Sequence, residues 1–280
     1  MTDAYPDEPR DETGDVAAPW GRSGLVTGSI RSAVSRLASI PTLLVPFAAV
    51  AALITGIDRL RHRDPIPSVA WESVADSTIH VEYPLYPAPR SRTIRRLEAL
   101  IDLEVPYLLW AIGLELLTIG AVAVAGVIVI HRALADAGID SPPVRRRLGA
   151  YIGFVVAVDL VGRMLGGIGA LDEMGLVLGV PVLIALLVVS IRLLLVPILL
   201  VAGRSLPFAI RRSNRLARGH GWSCLGVILI FGLGTWLLAS VPIVGTFLTG
   251  LVIAPLQAVT LVAIYGRLSR GENRAASPAS

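Results

Sequence analysis

The sequence contains no lysine, a single cysteine and few charged residues. Without lysine the chain cannot form the Gly-x-x-x-x-Gly-Lys loop with which many nucleotide hydrolases bind phosphate. Because Cys224 is the only cysteine, an intramolecular disulfide and a thiolate metal cluster are also excluded. Charged residues make up 16% of the 280 residues, apolar residues make up 54%, and the mean hydropathy is +0.70. This balance excludes an ordinary soluble domain and predicts a membrane protein.

Several enzyme signatures are also missing. The chain has neither the His-Glu-x-x-His motif of zinc hydrolases nor the Gly-x-Ser-x-Gly elbow of serine hydrolases. It shows no histidine suited to activate Ser223 as an intramembrane protease nucleophile, and no polar cluster typical of a lipid-modifying enzyme. The histidines all lie outside the apolar runs and do not predict a metal site; they are His62, His80, His131 and His220. We therefore expect a non-enzymatic protein without cofactor or metal, and no binding to nucleic acid.

Six apolar runs are long enough to cross a bilayer, which takes about 20 helical residues. They lie at about residues 39–57, 106–130, 149–171, 176–203, 222–240 and 243–265. The third run contains Asp159 and Arg163, and the fourth can kink at Pro181 or Pro197. The pattern predicts an all-α, polytopic membrane bundle of about six transmembrane helices.

Tails and one large loop account for most of the remaining chain. Residues 1–22 are rich in acidic residues, proline and glycine and are expected to be a disordered tail. Residues 23–270 are expected to form a single membrane domain, followed by a flexible tail at 271–280. The loop at 58–104 is expected to lie outside the membrane. Within it, residues 78–83 alternate like a short strand, which the following prolines end.

The distribution of arginine predicts the orientation, because positively charged loops stay in the cytoplasm. Arginines are concentrated before the first predicted span and after the second, fourth and sixth spans, whereas the short turns after the third and fifth have none. Both termini are therefore expected on the cytoplasmic side of the cell membrane. Arg59, Arg61 and Arg63 oppose this assignment, since they follow the first span on its outer side.

Three segments next to spans have an apolar face opposite a charged one. They are Ile30, Val34 and Leu37 opposite Arg31 and Arg36; Ile94, Leu97 and Ile101 opposite Arg95, Arg96 and Asp102; and Leu206, Ile210 and Ala217 opposite Arg211, Arg215 and Arg218. Amphipathic helices of this kind lie in the membrane interface, where guanidinium groups meet lipid phosphates. We expect the third segment to bind the headgroups of anionic lipids through Arg211, Arg212, Arg215 and Arg218.

Four ionisable residues fall within the predicted spans, where a charge is costly. They are Glu115, Asp159, Arg163 and Arg192. Asp159 and Arg163 are four residues apart and share a helical face, so they are expected to pair, leaving Glu115 to pair with Arg192. Two interpretations stay open: a route for protons or ions, or a neutralised polar core that fixes the packing of the helices.

The C-terminal third of the chain carries a pattern of spaced residues around a basic helix. The pattern consists of Ala209, Ser213, Leu216, Arg218, Gly219, Tyr265 and Leu268. Over about residues 185–270 it resembles the membrane domain attached to some glycerophosphoryl diester phosphodiesterases, which has stand-alone relatives in bacteria and haloarchaea. The resemblance implies a membrane domain without the soluble catalytic barrel, and therefore without phosphodiesterase activity.

The sequence leaves two functions open. One is a protein that organises or senses the lipid interface through its basic amphipathic segments. The alternative is a small transporter or permease-like subunit, which the charges within the spans and the proline-interrupted fourth span would suit.

Overall fold

The computed structural model describes residues 22–66, 69–70, 83, 85–95, 97–101, 103–167 and 175–276. It confirms an all-α helical bundle. The helices of these ranges are α1 (Arg22–Ser39), α2 (Val45–Arg63), α3 (Val105–Asp136), α4 (Val144–Gly167), α5 (Gly175–Leu193), α6 (Val196–Val201), α7 (Leu206–Ala217), α8 (Gly221–Ala239), α9 (Gly245–Leu248) and α10 (Ala254–Ala276). One π-helical turn, Thr249–Ile253, joins α9 to α10, and single 3-10 turns lie at Pro41–Leu43 and Leu97–Leu100. The β-structure described is one antiparallel pairing of two residues each, Val69–Ala70 with Thr93–Ile94.

Five helical stretches in the described ranges are long and apolar enough to cross a membrane. They are Pro41–Arg63, Val105–Asp136, Gly179–Val201, Gly221–Ala239 and Gly245–Arg270. The protein is thus a multi-pass helical membrane protein. Helix α4 occupies the place of the third of the six predicted spans and packs along α3. Its 24 residues extend about 36 Å, and the last part of that predicted span, residues 168–171, lies outside the described residues.

Several predicted boundaries are shifted in the structure. The first span was expected to end at residue 57, but α2 continues to Arg63, so the first residues of the predicted outer loop are helical. The fourth run is divided into α5 and α6 by a break at Leu194 and Leu195, just before Pro197. Helix α10 extends to Ala276, so the first part of the predicted C-terminal tail is helical. The predicted N-terminal tail and most of the strand-like segment, 1–21 and 78–82, lie outside the described residues.

The bundle has two ends, which we name by their contents. The loop end holds the C-terminus of α2 and the N-terminus of α3. The α7 end holds the opposite helix termini, where Arg36 of α1 forms an ion pair of 3.4 Å with Asp136 of α3. At this end α1 packs along α10, and the Arg267 guanidinium lies against Gly28. Helix α1 is therefore packed on the bundle through its Leu25, Ser29 and Ala33 face.

An extended stretch, residues 85–95, packs into the bundle from the loop end; we call it the inserted segment. Pro87 and Pro89 are buried, and Tyr86 and Ala88 pack against the hydrophobic core. Irregular backbone at membrane depth is tolerated where protein surrounds it, and proline lacks the N–H that would otherwise need a partner. A Cβ at Gly250 would collide with both Ala51 and Pro89, so this glycine permits the approach. The expectation that all of 58–104 is an outer loop is therefore wrong for this segment.

Candidate functional site

The inserted segment is held at the loop end by one carboxylate near the C-terminus of α2. The side chain of Asp58 is only 7% exposed. Its carboxylate accepts hydrogen bonds from Thr93 Oγ1 at 2.6 Å, from Ser91 Oγ at 2.7 Å and from the Arg92 backbone N–H at 3.0 Å. Asp58 thus stabilises the backbone turn that leads out of the bundle.

A continuous chain of ion pairs crosses from α2 to α4 beside this turn. Arg61, one helical turn after Asp58, donates from Nη2 to Glu115 Oε1 at 2.5 Å. The other oxygen of Glu115 accepts from Arg163 Nη2 at 2.7 Å, and Arg163 Nε donates to Asp159 Oδ2 at 2.6 Å. Glu115 therefore joins arginines from α2 and α4. Each charge in the chain has an oppositely charged neighbour, as a low-dielectric environment requires.

A separate ion pair lies on the loop side of this chain. Arg95 Nη2 donates to Asp64 Oδ2 at 2.8 Å, and the indole Nε1 of Trp110 donates to the same oxygen at 2.8 Å. The Arg95 side chain is only 1% exposed. Its Nε and Nη1 atoms, and Nε of Arg61, have no hydrogen-bond partner in the part of the chain that the structure describes. Buried donors of this kind are normally satisfied by ordered water.

Three tyrosines extend the polar region inward. Burial raises the pKa of Tyr86, and the nearby Asp159 carboxylate raises it further. Tyr86 also lies close to Tyr151, whose hydroxyl approaches Gly126 so closely that a Cβ there would lie 2.5 Å away. Burial likewise raises the pKa of Tyr83, beside the Gln257 side chain of α10. The neutral phenols therefore line the bundle interior below the ion pairs.

The structure brings together three of the four ionisable residues predicted within spans. Glu115, Asp159 and Arg163 meet at the loop end, and the expected pair of Asp159 with Arg163 is formed. The expected pair of Glu115 with Arg192 is not formed. Arg192 is exposed near the C-terminus of α5, on the far side of the break from α6, and Glu115 instead pairs with Arg61.

Sequence reasoning missed the contributions of Asp58, Arg61, Asp64 and Arg95, because all four were assigned to an outer loop. A signal was available for Arg61, since its position opposed the distribution of the other arginines and Asp58 precedes it by one helical turn. Arg95 of the second amphipathic segment was also expected to face lipid headgroups, but it is buried.

The chain of ion pairs from Asp58 to Asp159, which we call the charge chain, suits a role in holding helices together better than a role in catalysis. In it, each carboxylate is bound to an arginine or to hydroxyl and amide donors, so none is left to act as a free base. Among the described residues, no group of three His, Cys, Asp or Glu side chains is arranged to hold a metal ion.

The other candidate surface is the basic helix α7 at the opposite end. Ala209, Ser213, Leu216 and Ala217 form its buried face against α5 and α6. Ser213 Oγ donates to the Arg192 carbonyl at 2.6 Å and accepts from the Leu195 N–H at 3.2 Å. The hydroxyl thereby satisfies backbone groups at the break between α5 and α6 and fixes the orientation of α7.

The outward face of α7 combines apolar and basic side chains. Leu206, Phe208 and Ile210 are each 40% to 45% exposed, and the Arg204 guanidinium lies 5.2 Å from the centre of the Phe208 ring. Arg211, Arg215 and Arg218 are exposed, whereas Arg212 is partly buried. The predicted apolar face is therefore divided: Ala217 packs on the bundle, while Leu206 and Ile210 face outward.

Comparison with protein-family models, with curated proteins and with solved structures finds no match for this chain. The spaced residues of the C-terminal pattern nevertheless have physical roles. Ala209, Ser213 and Leu216 lie on the buried face of α7. Gly219, in the turn between α7 and α8, has a φ of +83°, a conformation that favours glycine. The packing of α7 thus explains this part of the pattern.

Proposed function

We propose that this protein is a non-enzymatic membrane protein that binds and organises anionic lipid at the membrane interface through α7. The observation that carries the proposal is the outward face of α7, where Leu206, Phe208 and Ile210 lie beside Arg211 and Arg215 on a helix fixed to the bundle. An apolar surface of this kind enters the acyl boundary while the guanidinium groups meet phosphates.

The charge of α7 supports the same role. The helix contains no acidic residue. Within the described residues, the side chains of Arg211 and Arg218 have no ion-pair partner. Each arginine near an anionic surface contributes about 1 kcal/mol of attraction, which salt screens within about 10 Å. Such a surface selects lipid headgroups with a net negative charge over zwitterionic headgroups.

The test measures lipid selectivity of the full chain in vesicles that contain spin-labelled phosphatidylglycerol or phosphatidylcholine. Electron spin resonance gives the fraction of each lipid immobilised at the protein. We expect Arg211→Gln with Arg218→Gln to lower the preference for phosphatidylglycerol. The matched control, Arg145→Gln with Arg146→Gln, removes two exposed charges at the start of α4. An equal loss in both variants would mean that net charge, rather than α7, sets the preference, and the proposal would be wrong.

A second candidate function is the movement of a small solute or of protons. One observation favours it: the inserted segment and the partly buried Tyr83 and Tyr86 pack against the bundle core below the ion pairs. Interrupted backbone forms midplane binding sites in many transporters. Reconstituted vesicles carrying a pH dye test proton flux, which Asp159→Asn is expected to reduce. Equal leakage from vesicles with and without protein would remove this candidate.

We further propose that the protein resides in the cell membrane with both termini in the cytoplasm, as the arginine distribution indicates. The α7 end would then face the cytoplasmic leaflet, which carries the anionic lipids. Kinship with the membrane domain of glycerophosphoryl diester phosphodiesterases is also a proposal, supported by the spaced residues of α7.

A further inference from the structure

An open apolar groove runs along the bundle surface between α2 and α3. Its volume is about 510 Å³, and it is lined by apolar side chains and small residues. They include Ala49 and Leu53 of α2 and Leu116, Gly120, Val124 and Ile128 of α3. No atom lies within 4 Å of the place that a Cβ on Gly120 would take, so the glycine leaves the groove floor open.

The length and position of the groove match one acyl chain. From Leu116 to Ile128 the α3 wall measures about 18 Å at 1.5 Å per residue. Half of the hydrocarbon core of a bilayer is about 15 Å thick. The α3 wall is therefore slightly longer than half of the hydrocarbon core and runs toward the α7 end, so an acyl chain from the leaflet on that side fits along it.

An exposed arginine lies just beyond the α7 end of the groove. Arg132 follows Ile128 by four residues, so it lies one helical turn beyond the last residue of the α3 wall and about 40° round the helix from it. Arg132 is exposed and has no ion-pair or hydrogen-bond partner among the side chains that the structure describes. The neighbouring Arg36 is neutralised by Asp136. Arg132 is thus the positive charge available to a phosphate above the groove.

We infer that this groove is a binding site for one anionic phospholipid, with an acyl chain between α2 and α3 and its phosphate at Arg132. The site lies on a different helix pair from α7, and the inference does not rest on the function proposed above. A lipid bound here covers apolar surface that α2 and α3 leave open. Its headgroup would contact α3, the helix that also carries Glu115.

Native mass spectrometry of the full chain, released from mild detergent after incubation with phosphatidylglycerol, tests the site. We expect Gly120→Leu, which fills the groove, to reduce retained phosphatidylglycerol about tenfold. The matched control is Gly113→Leu on the same helix, where a Cβ also meets no atom within 4 Å but the groove is absent. Arg132→Gln is expected to reduce the preference for phosphatidylglycerol over phosphatidylcholine about fivefold, equivalent to about 1 kcal/mol.

A second measurement uses the wild-type chain and therefore does not depend on how the variants fold. Phosphatidylglycerol with a photoreactive acyl chain is expected to crosslink to residues 46–53 and 116–128. Crosslinks confined to other helices would overturn the inference. So would equal lipid retention by Gly120→Leu and Gly113→Leu, or a dimer mass that disappears in Gly120→Leu, because the groove would then bind a second copy of the chain.

Discussion

Glu115 is the residue on which the loop-end charges depend, because its two oxygens bind arginines from two different helices. Removing one member of a buried ion pair leaves its partner charged in a low-dielectric environment, and this cost exceeds the value of the pair itself. Arg61 and Arg163 would both lose their shared partner if Glu115 were neutral. Arg163 would keep Asp159, but the link between α2 and α4 would be lost.

We predict that Glu115→Gln lowers the free energy of unfolding by about 3 kcal/mol, the lower part of the range for buried pairs because the Glu115 side chain keeps 18% exposure. Unfolding in mixed micelles of increasing denaturing detergent measures this difference. Glu104→Gln, an exposed carboxylate just before α3, is the control and should change little. Equal stability of the two variants would show that the charge chain does not hold the helices together.

How far the sequence predicts such contacts depends on the distance along the chain. Asp159 and Arg163 are four residues apart on one helix, so helical geometry alone predicts their pair. The partner of Glu115 depends on the depth at which each helix sits. Arg192 lies well inside the fourth predicted span, so hydropathy favours it as the partner, and the span boundary placed at residue 57 removed Arg61 from consideration.

Among the structural elements, the inserted segment is the least predictable. Proline-rich extended chain between two spans is typical of an exposed loop, and no periodicity distinguishes residues that pack inside a bundle. The long apolar helices, by contrast, follow from the thickness of the hydrocarbon core. The amphipathic pattern of α7 predicts the helix, but the division between the buried face and the outward face depends on the break between α5 and α6.

Burial of Tyr86 in this segment predicts loss of stability at alkaline pH. The folded chain keeps the Tyr86 phenol protonated where the unfolded chain releases the proton, so unfolding becomes favoured as the pH rises above about 10. No lysine titrates in this range. Thermal unfolding at pH 8 and pH 11 should therefore show a smaller loss for Tyr86→Phe than for the wild type. Tyr107→Phe, an exposed tyrosine on α3, is the control; an equal benefit from it would refute the prediction.

At the scale of the whole molecule, the number of crossings decides where the two termini lie. Five crossings place them on opposite sides of the membrane, whereas six place them on the same side. Helix α4 is long enough to cross and packs along α3. At the loop end its Arg163 is bound both by Glu115 of α3 and by Asp159 of the same helix. Neutralisation of Asp159 and Arg163 within the bundle removes much of the cost of placing them in the membrane.

We predict that α4 crosses the membrane and that residues at both termini react from the same side. Cysteines introduced one at a time at Ser23, Glu104 and Ser269 in a Cys224→Ser background can be labelled with an impermeant maleimide on intact cells. Only the cysteine at position 104 is expected to react before the cells are lysed. Labelling of exactly one terminal position would instead mean an odd number of crossings, with α4 lying outside the bilayer.

The hydrogen bond from the Arg90 backbone N–H to Thr249 Oγ1 joins residues 159 positions apart in the chain. Ribosomes add about 5–20 residues per second, so roughly 8 to 30 s separate the synthesis of these two residues. Throughout that interval the inserted segment lacks the π-helical turn against which Pro89 packs. The inserted segment can therefore complete its packing only after the π-helical turn has been synthesised, so its docking is a late step in the biogenesis of the bundle.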